Sequence, residues 1–126
     1  MAAKCQVRIR NEPVHAILDS GTAVCVITKR LAEKLGLKIT KPSKTIVVTA
    51  DGTKTRALGQ IEKVPLALHS LLIPTTFHVI ESRNDTLLLG TDWFNKTRAI
   101  LDFERQIVCL KFMNKEISVP IAIFIG

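Results

Sequence analysis

Ala16-Ile17-Leu18-Asp19-Ser20-Gly21-Thr22 is the stretch on which the reading of this chain turns. An apolar, strand-like run ends there in a carboxylate, and a hydroxyl residue and a glycine follow at once. An ionised Asp at the end of a core-forming strand costs free energy unless it is hydrogen-bonded or paired. Gly21 permits a tight turn in which backbone N–H groups approach the carboxylate. Ser20 offers a hydroxyl for bonds to neighbouring backbone. Asp-Ser-Gly is also common at ordinary β-turns, so the tripeptide alone leaves a plain turn open.

On either side the apolar pattern has a period of two. Val7 and Ile9, then Val14, Ala16 and Leu18, predict a strand pair turned at Asn11-Glu12-Pro13. Val24 to Ile27, Ile46 to Val48, Leu58 to Ile61, Val64 to Leu68 and Phe77 to Ile80 continue the series, with Asp51-Gly52 as a turn signal. Ile107 to Leu110 and Ile117 to Ile125 flank a turn expected at Asn114-Lys115, and Pro65 and Pro120 assign their strands to edge or bulged positions. Two segments break the rhythm. Thr28 to Gly36 reads as a short helix with Thr28 as N-cap, Leu31 and Leu35 on one face and Gly36 just past the end. Thr91 to Arg98 reads as a second, capped by Thr91 or Asp92. The expected fold class is all-β, with one or two short helices.

Leu87-Leu88-Leu89-Gly90-Thr91-Asp92-Trp93 repeats the design of the opening stretch: an apolar strand, a glycine, a helix start. With the intervening Asp51-Gly52 hairpin, these features resemble the retropepsins, the aspartic proteases of retroviruses and long-terminal-repeat retrotransposons, from about Val7 to Phe112. Leu35-Gly36-Leu37, Gly90-Thr-Asp-Trp-Phe94 and Ala99-Ile-Leu-Asp-Phe103 are similar to the retrotransposon branch. The resemblance implies a single-lobe acid-protease β-barrel over residues 1–126. Asp19, Ser20 and Gly21 would form its catalytic loop, with Thr22, Leu88, Leu89 and Gly90 packed beneath. A flap hairpin at about 46–60 would bring Thr49, Ala50, Asp51, Gly52 and Thr53 over an extended peptide, and Ile80 and Leu87 would line its side-chain pockets. Thr22 stands where the family usually has Ala. The acidic residues that some viral enzymes carry next are replaced by Ala23-Val24-Cys25, which removes their ion pairs and backbone contacts from the expectation.

Aspartic proteolysis needs two carboxyl groups sharing one proton, yet Asp-Ser-Gly occurs once and the chain has no room for a second lobe. A C2 homodimer supplies the second group, because a two-fold axis between the loops makes Asp19 its own partner. Two like charges so placed hold one proton between them, as in aspartic-protease dyads generally. A bell-shaped rate profile with its maximum on the acid side of neutrality follows. Residues 117–126 are expected either at the dimer interface, beside the strand near Cys5 to Ile9, or closing their own sheet.

Eighteen Lys and Arg against eleven Asp and Glu give a net charge of +7. Such a balance permits nonspecific attraction of nucleic acid. Single-strand binders, however, display aromatics for stacking, and here Phe77, Phe103, Phe112 and Phe124 read as core. That leaves a basic nucleic-acid-binding β domain, or a proteolytically silent dimerisation module, as the rival readings. No apolar run approaches the roughly 20 residues of a membrane span. Three scattered cysteines suit a reducing, cytoplasmic setting or a retroelement particle. His15, His69 and His78 have no ligand-spaced companions, so no metal or cofactor is expected. Asn84 and Asn95 begin glycosylation-type triplets, a weak signal without a secretory leader.

Overall fold

A computed structural model describes residues 2–49 and 52–124. Of the residues singled out above, Ala50, Asp51, Ile125 and Gly126 lie outside this set. Six strands close into a barrel: β1 (Ala2–Ile9), β2 (Glu12–Leu18), β3 (Val26–Thr28), β6 (Gly59–Leu68), β7 (Leu71–Ile80) and β8 (Leu87–Leu89). Their order is β1-β2-β8-β3-β7-β6, and the ring shuts where Arg8 and Ile9 of β1 pair with Ala67 and Leu66 of β6. β8 runs parallel to β2, and β3 runs parallel to β7, inside an otherwise antiparallel barrel.

Alternation builds the core. In β1, Ala3, Cys5, Val7 and Ile9 point inward, and in β7, Leu71, Ile73, Thr75, Phe77 and Val79 do so. The β1–β2 turn falls earlier than expected. Arg10 and Asn11 form it with φ of 54° and 67°, the mirror-turn geometry that matches strand twist in two-residue hairpins. Glu12 and Pro13 therefore belong to β2, opposite Ile9 and Arg8. The segments expected at Leu58–Ile61 and Val64–Leu68 are one strand, with an irregularity between Ile61 and Val64 where Lys63 takes φ 54°. Pro65, just past this bulge, faces Pro74 across the ladder.

Outside the barrel, β4 (Ile46–Val48) pairs with β5 (Lys54–Arg56) as a hairpin, and β9 (Ile100–Asp102), β10 (Ile107–Phe112) and β11 (Lys115–Pro120) form a three-stranded sheet. The β10–β11 turn lies at Met113-Asn114, one residue earlier than expected, with φ of 52° and 64°. After a break at Ile121, β12 (Ala122–Phe124) pairs with Ala2–Lys4 of its own chain rather than with Cys5–Ile9. Phe77 is core, but Phe103 is 45% exposed in the β9–β10 connection, against expectation.

The helices are α1 (Lys29–Lys34) and α2 (Thr91–Thr97). Thr28 occupies the N-cap of α1, but its hydroxyl accepts the Thr86 N–H at 3.0 Å instead of capping the helix. Gly36, at φ 71°, lets the chain reverse after α1, and the Leu37 N–H returns to the Ala32 carbonyl at 2.9 Å. The cap of α2 is Gly90, not Thr91 or Asp92.

Candidate active site

Asp19 follows β2, whose register against β8 pairs Leu18 with Leu89. The Asp19 N–H continues that ladder to the Leu89 carbonyl at 3.0 Å, and the Thr22 N–H closes the turn onto the Asp19 carbonyl at 3.3 Å. The half-buried carboxylate is held on both oxygens by its own loop. The Gly21 N–H donates to Oδ1 at 2.9 Å and the Thr22 hydroxyl to Oδ2 at 2.9 Å. Thr22 is 1% exposed, so that second donor has a fixed place in the packing. Ser20 is exposed, and its hydroxyl has no partner among the described residues. The hydroxyl that secures the loop within one chain is thus that of Thr22, which the sequence reading took only for packing. An Asp–hydroxyl spacing of three residues was the signal that could have found it.

The loop rests on the start of α2. The Thr91 N–H donates to the Thr22 carbonyl at 2.8 Å, and the Asp92 N–H to the Ala23 carbonyl at 3.2 Å. Gly90 makes this approach possible: a Cβ there would stand 2.5 Å from the Thr22 carbonyl oxygen and 2.4 Å from that of Val24. Behind the loop the Cys25 thiol donates to Asp92 Oδ1 at 3.2 Å, and the same oxygen accepts the Trp93 N–H at 2.6 Å. Burial, seconded by the Asp92 charge, raises the Cys25 thiol far above its ordinary range, so it stays protonated as a donor. Burial alone pushes Cys5 up to about 12. Nearby on β7, His78 shares a 3.0 Å hydrogen bond through Nδ1 with the Ser43 hydroxyl. Burial lowers its pKa below 6.5, against a smaller opposing pull from Asp92.

β8 divides its side chains differently from the expectation. Leu87 and Leu89 enter the barrel core, so Leu87 lines no open pocket. Leu88 instead joins Val26 and Val47 in a separate apolar cluster, with half-buried Ile17, Val24 and Ile80 around it. Ile80 is half-buried against this cluster, and Val47 of the β4–β5 hairpin is a member that sequence reasoning missed. Its neighbours Ile46 and Val48 are exposed apolar residues of the same kind, and composition does not single out the middle one. The hairpin continues to Thr49 and Thr53, where the Thr49 N–H meets the Thr53 carbonyl at 3.0 Å. Gly52 takes φ 86° and donates to the Thr49 carbonyl at 2.9 Å.

Comparison with known proteins agrees with this architecture. A family described as "gag-polyprotein putative aspartyl protease" matches residues 5–96. The chain is 32% identical over 102 residues to DNA damage-inducible protein 1 of Candida glabrata, covering 81% of this chain and 24% of that protein. It is 32% identical over 111 residues to the UBA domain-containing protein Mud1 of Schizosaccharomyces pombe, covering 88% and 33%. The chain thus spans about a quarter to a third of these relatives' length. The crystal structure of the retroviral protease-like domain of Ddi1 from Leishmania major superposes with a TM-score of 0.73 at 26% identity, over 97% of this chain and 94% of that one.

Proposed function

This chain belongs to the family of gag-polyprotein aspartyl proteases, and from that premise we propose that it is an aspartic endopeptidase, active as a C2 homodimer on extended, hydrophobic peptide segments such as those of a polyprotein. The observation that carries the reading is the Asp19 carboxylate, held at both oxygens by Gly21 and Thr22 of its own loop while Ser20 stays exposed. A carboxylate oriented by short hydrogen bonds is prepared to act without rearrangement. An unengaged hydroxyl beside it suits a contact with a symmetry-related loop. β12 supports the same arrangement, since β1 is its only strand neighbour among the described residues and a free edge seeks a partner.

In the proposed mechanism the ionised Asp19 of one subunit takes a proton from the water that attacks the scissile carbonyl. The protonated Asp19 of the other gives its proton to the carbonyl oxygen. In the second half the Asp19 that took the water's proton gives it to the nitrogen of the tetrahedral intermediate, the C–N bond breaks, and the other Asp19 takes a proton from a hydroxyl of the intermediate, which returns the dyad to one shared proton. The β4–β5 hairpin serves as the flap that excludes water and grips the peptide by strand-like pairing. The cluster of Ile17, Val24, Ile80 and Leu88 offers apolar surface to substrate side chains. Expression in a longer precursor tests the assignment: the native chain should release itself, and Asp19→Asn should leave the precursor intact. Equal processing by both would remove Asp19 from the chemistry.

A second reading has its own observation. One chain presents a single carboxylate in this loop, so a dimer whose two loops do not converge would be a proteolytically silent dimerisation and interaction module. A dimer that binds peptide but shows no Asp19-dependent cleavage would establish that reading.

A further inference from the structure

Away from the Asp19 loop, the outer edge of β1 is interrupted. Ala2–Lys4 pair with β12 and Arg8–Ile9 pair with β6, which leaves the stretch between without a strand partner on that side among the described residues. A cleft of about 450 Å³ lies elsewhere, against the three-stranded sheet, but the one at this interruption, about 440 Å³, has the more pointed chemistry. Gln6, Arg8, Ala67, His69 and Ser70 line it. We propose that this notch binds a phosphate monoester carried by a small molecule.

The lining supplies a guanidinium, an imidazole, a carboxamide and a hydroxyl, and no carboxylate. None of these four side chains has a hydrogen-bond or ion-pair partner among the described residues. An Arg fork matched with neutral donors is the usual answer to a phosphoryl group, which presents three acceptor oxygens. The backbone fixes the donors relative to each other. Arg8 pairs with Ala67, and the tight β6–β7 turn between Leu68 and Leu71 holds His69 and Ser70 at its apex. The notch is open to solvent and its four polar side chains are exposed, which suits a small, hydrated anionic group rather than an enclosed ligand. Lys4 lies on the same strand, and Glu12, opposite Ile9 and next to Arg8's partner Pro13, is an acid at the notch end of the β1–β2 pair. No aromatic among the described residues lines the notch, which disfavours a stacked nucleic-acid strand. Arg8 lies opposite Pro13, so the length of β2, roughly 20 Å at strand rise, separates the notch from Asp19.

Titration of the full chain with inorganic phosphate, followed by amide chemical shifts, tests the proposal. Saturable shifts confined to Gln6, Arg8, His69 and Ser70 are expected. Arg8→Gln should weaken binding about tenfold, the effect of losing about 1.4 kcal/mol. His69→Asn, which tolerates the turn's positive φ, should weaken it less, with both variants melting as the native chain does. A glycerol phosphate should bind at least as tightly as inorganic phosphate. Shifts spread over the whole basic surface, or binding unaffected by Arg8→Gln, would overturn the site. Much tighter binding of a short oligothymidylate, with shifts running on to Lys4, would overturn it in favour of a nucleic-acid strand.

Discussion

At the scale of single residues, the hydroxyl of Thr22 is the contact with the largest chemical consequence. It spends its one donor on Asp19 Oδ2 from a fully buried position. Hydrogen bonds to ionised acceptors are worth about 1.5–3 kcal/mol, and this one fixes the orientation of the carboxylate. Thr22→Val keeps the shape and removes the donor. Peptide cleavage per folded molecule should fall about tenfold or more in that variant. Thr22→Ser should retain native cleavage. A Val variant as active as the native chain would reduce Thr22 to packing. His78 makes a separate prediction about folding. Its pKa is lower in the folded chain than the ordinary 6.5, chiefly through burial, so the fold favours neutral imidazole. That contribution is complete above pH 6.5 and is lost as pH falls from there through the folded value. Melting curves at pH 7.5 and 5.5 should therefore show a smaller acid destabilisation in His78→Gln than in the native chain.

Among the elements, the junction between the Asp19 loop and α2 depends on the absence of a side chain at Gly90. A methyl group there would meet two backbone carbonyl oxygens that cannot rotate away. Gly90→Ala should destabilise by about 1–3 kcal/mol or more, as overpacking does, and should impair cleavage beyond the loss of folded protein. Chemical denaturation alongside activity per folded molecule checks both. This junction was legible in the sequence, because Leu-Leu-Gly followed by a helix start reports a strand that ends against something close. The same holds for the paired β1 and β2 and for α1 with Gly36, whose signals are local. What the sequence could not disclose depends on long-range partners. Leu87 and Leu88 are chemically identical, and only the pairing of β8 between β2 and β3 sends one to the core and the other to the Val47 cluster. The turns at Arg10-Asn11 and Met113-Asn114 fell a residue or two early because strand twist, not turn propensity alone, selects the residues that take positive φ. Phe103 read as core by its type, yet it lies just past a short edge strand and is 45% exposed.

For the whole molecule, the barrel brings one strand end, one glycine and one helix start together to orient a single carboxylate, and the proposed chemistry requires two. The account therefore stands on symmetry, which one experiment addresses directly. Native chain is mixed with an equal amount of Asp19→Asn, allowed to exchange subunits, and compared with the same quantity of native chain alone. If two-fold pairing supplies both carboxylates, random exchange leaves about a quarter of the dimers native, and cleavage should fall to about half that of the unmixed control. Activity that tracks the native chain alone, unmoved by any excess of Asp19→Asn, would show that one subunit's Asp19 suffices and would contradict the shared dyad.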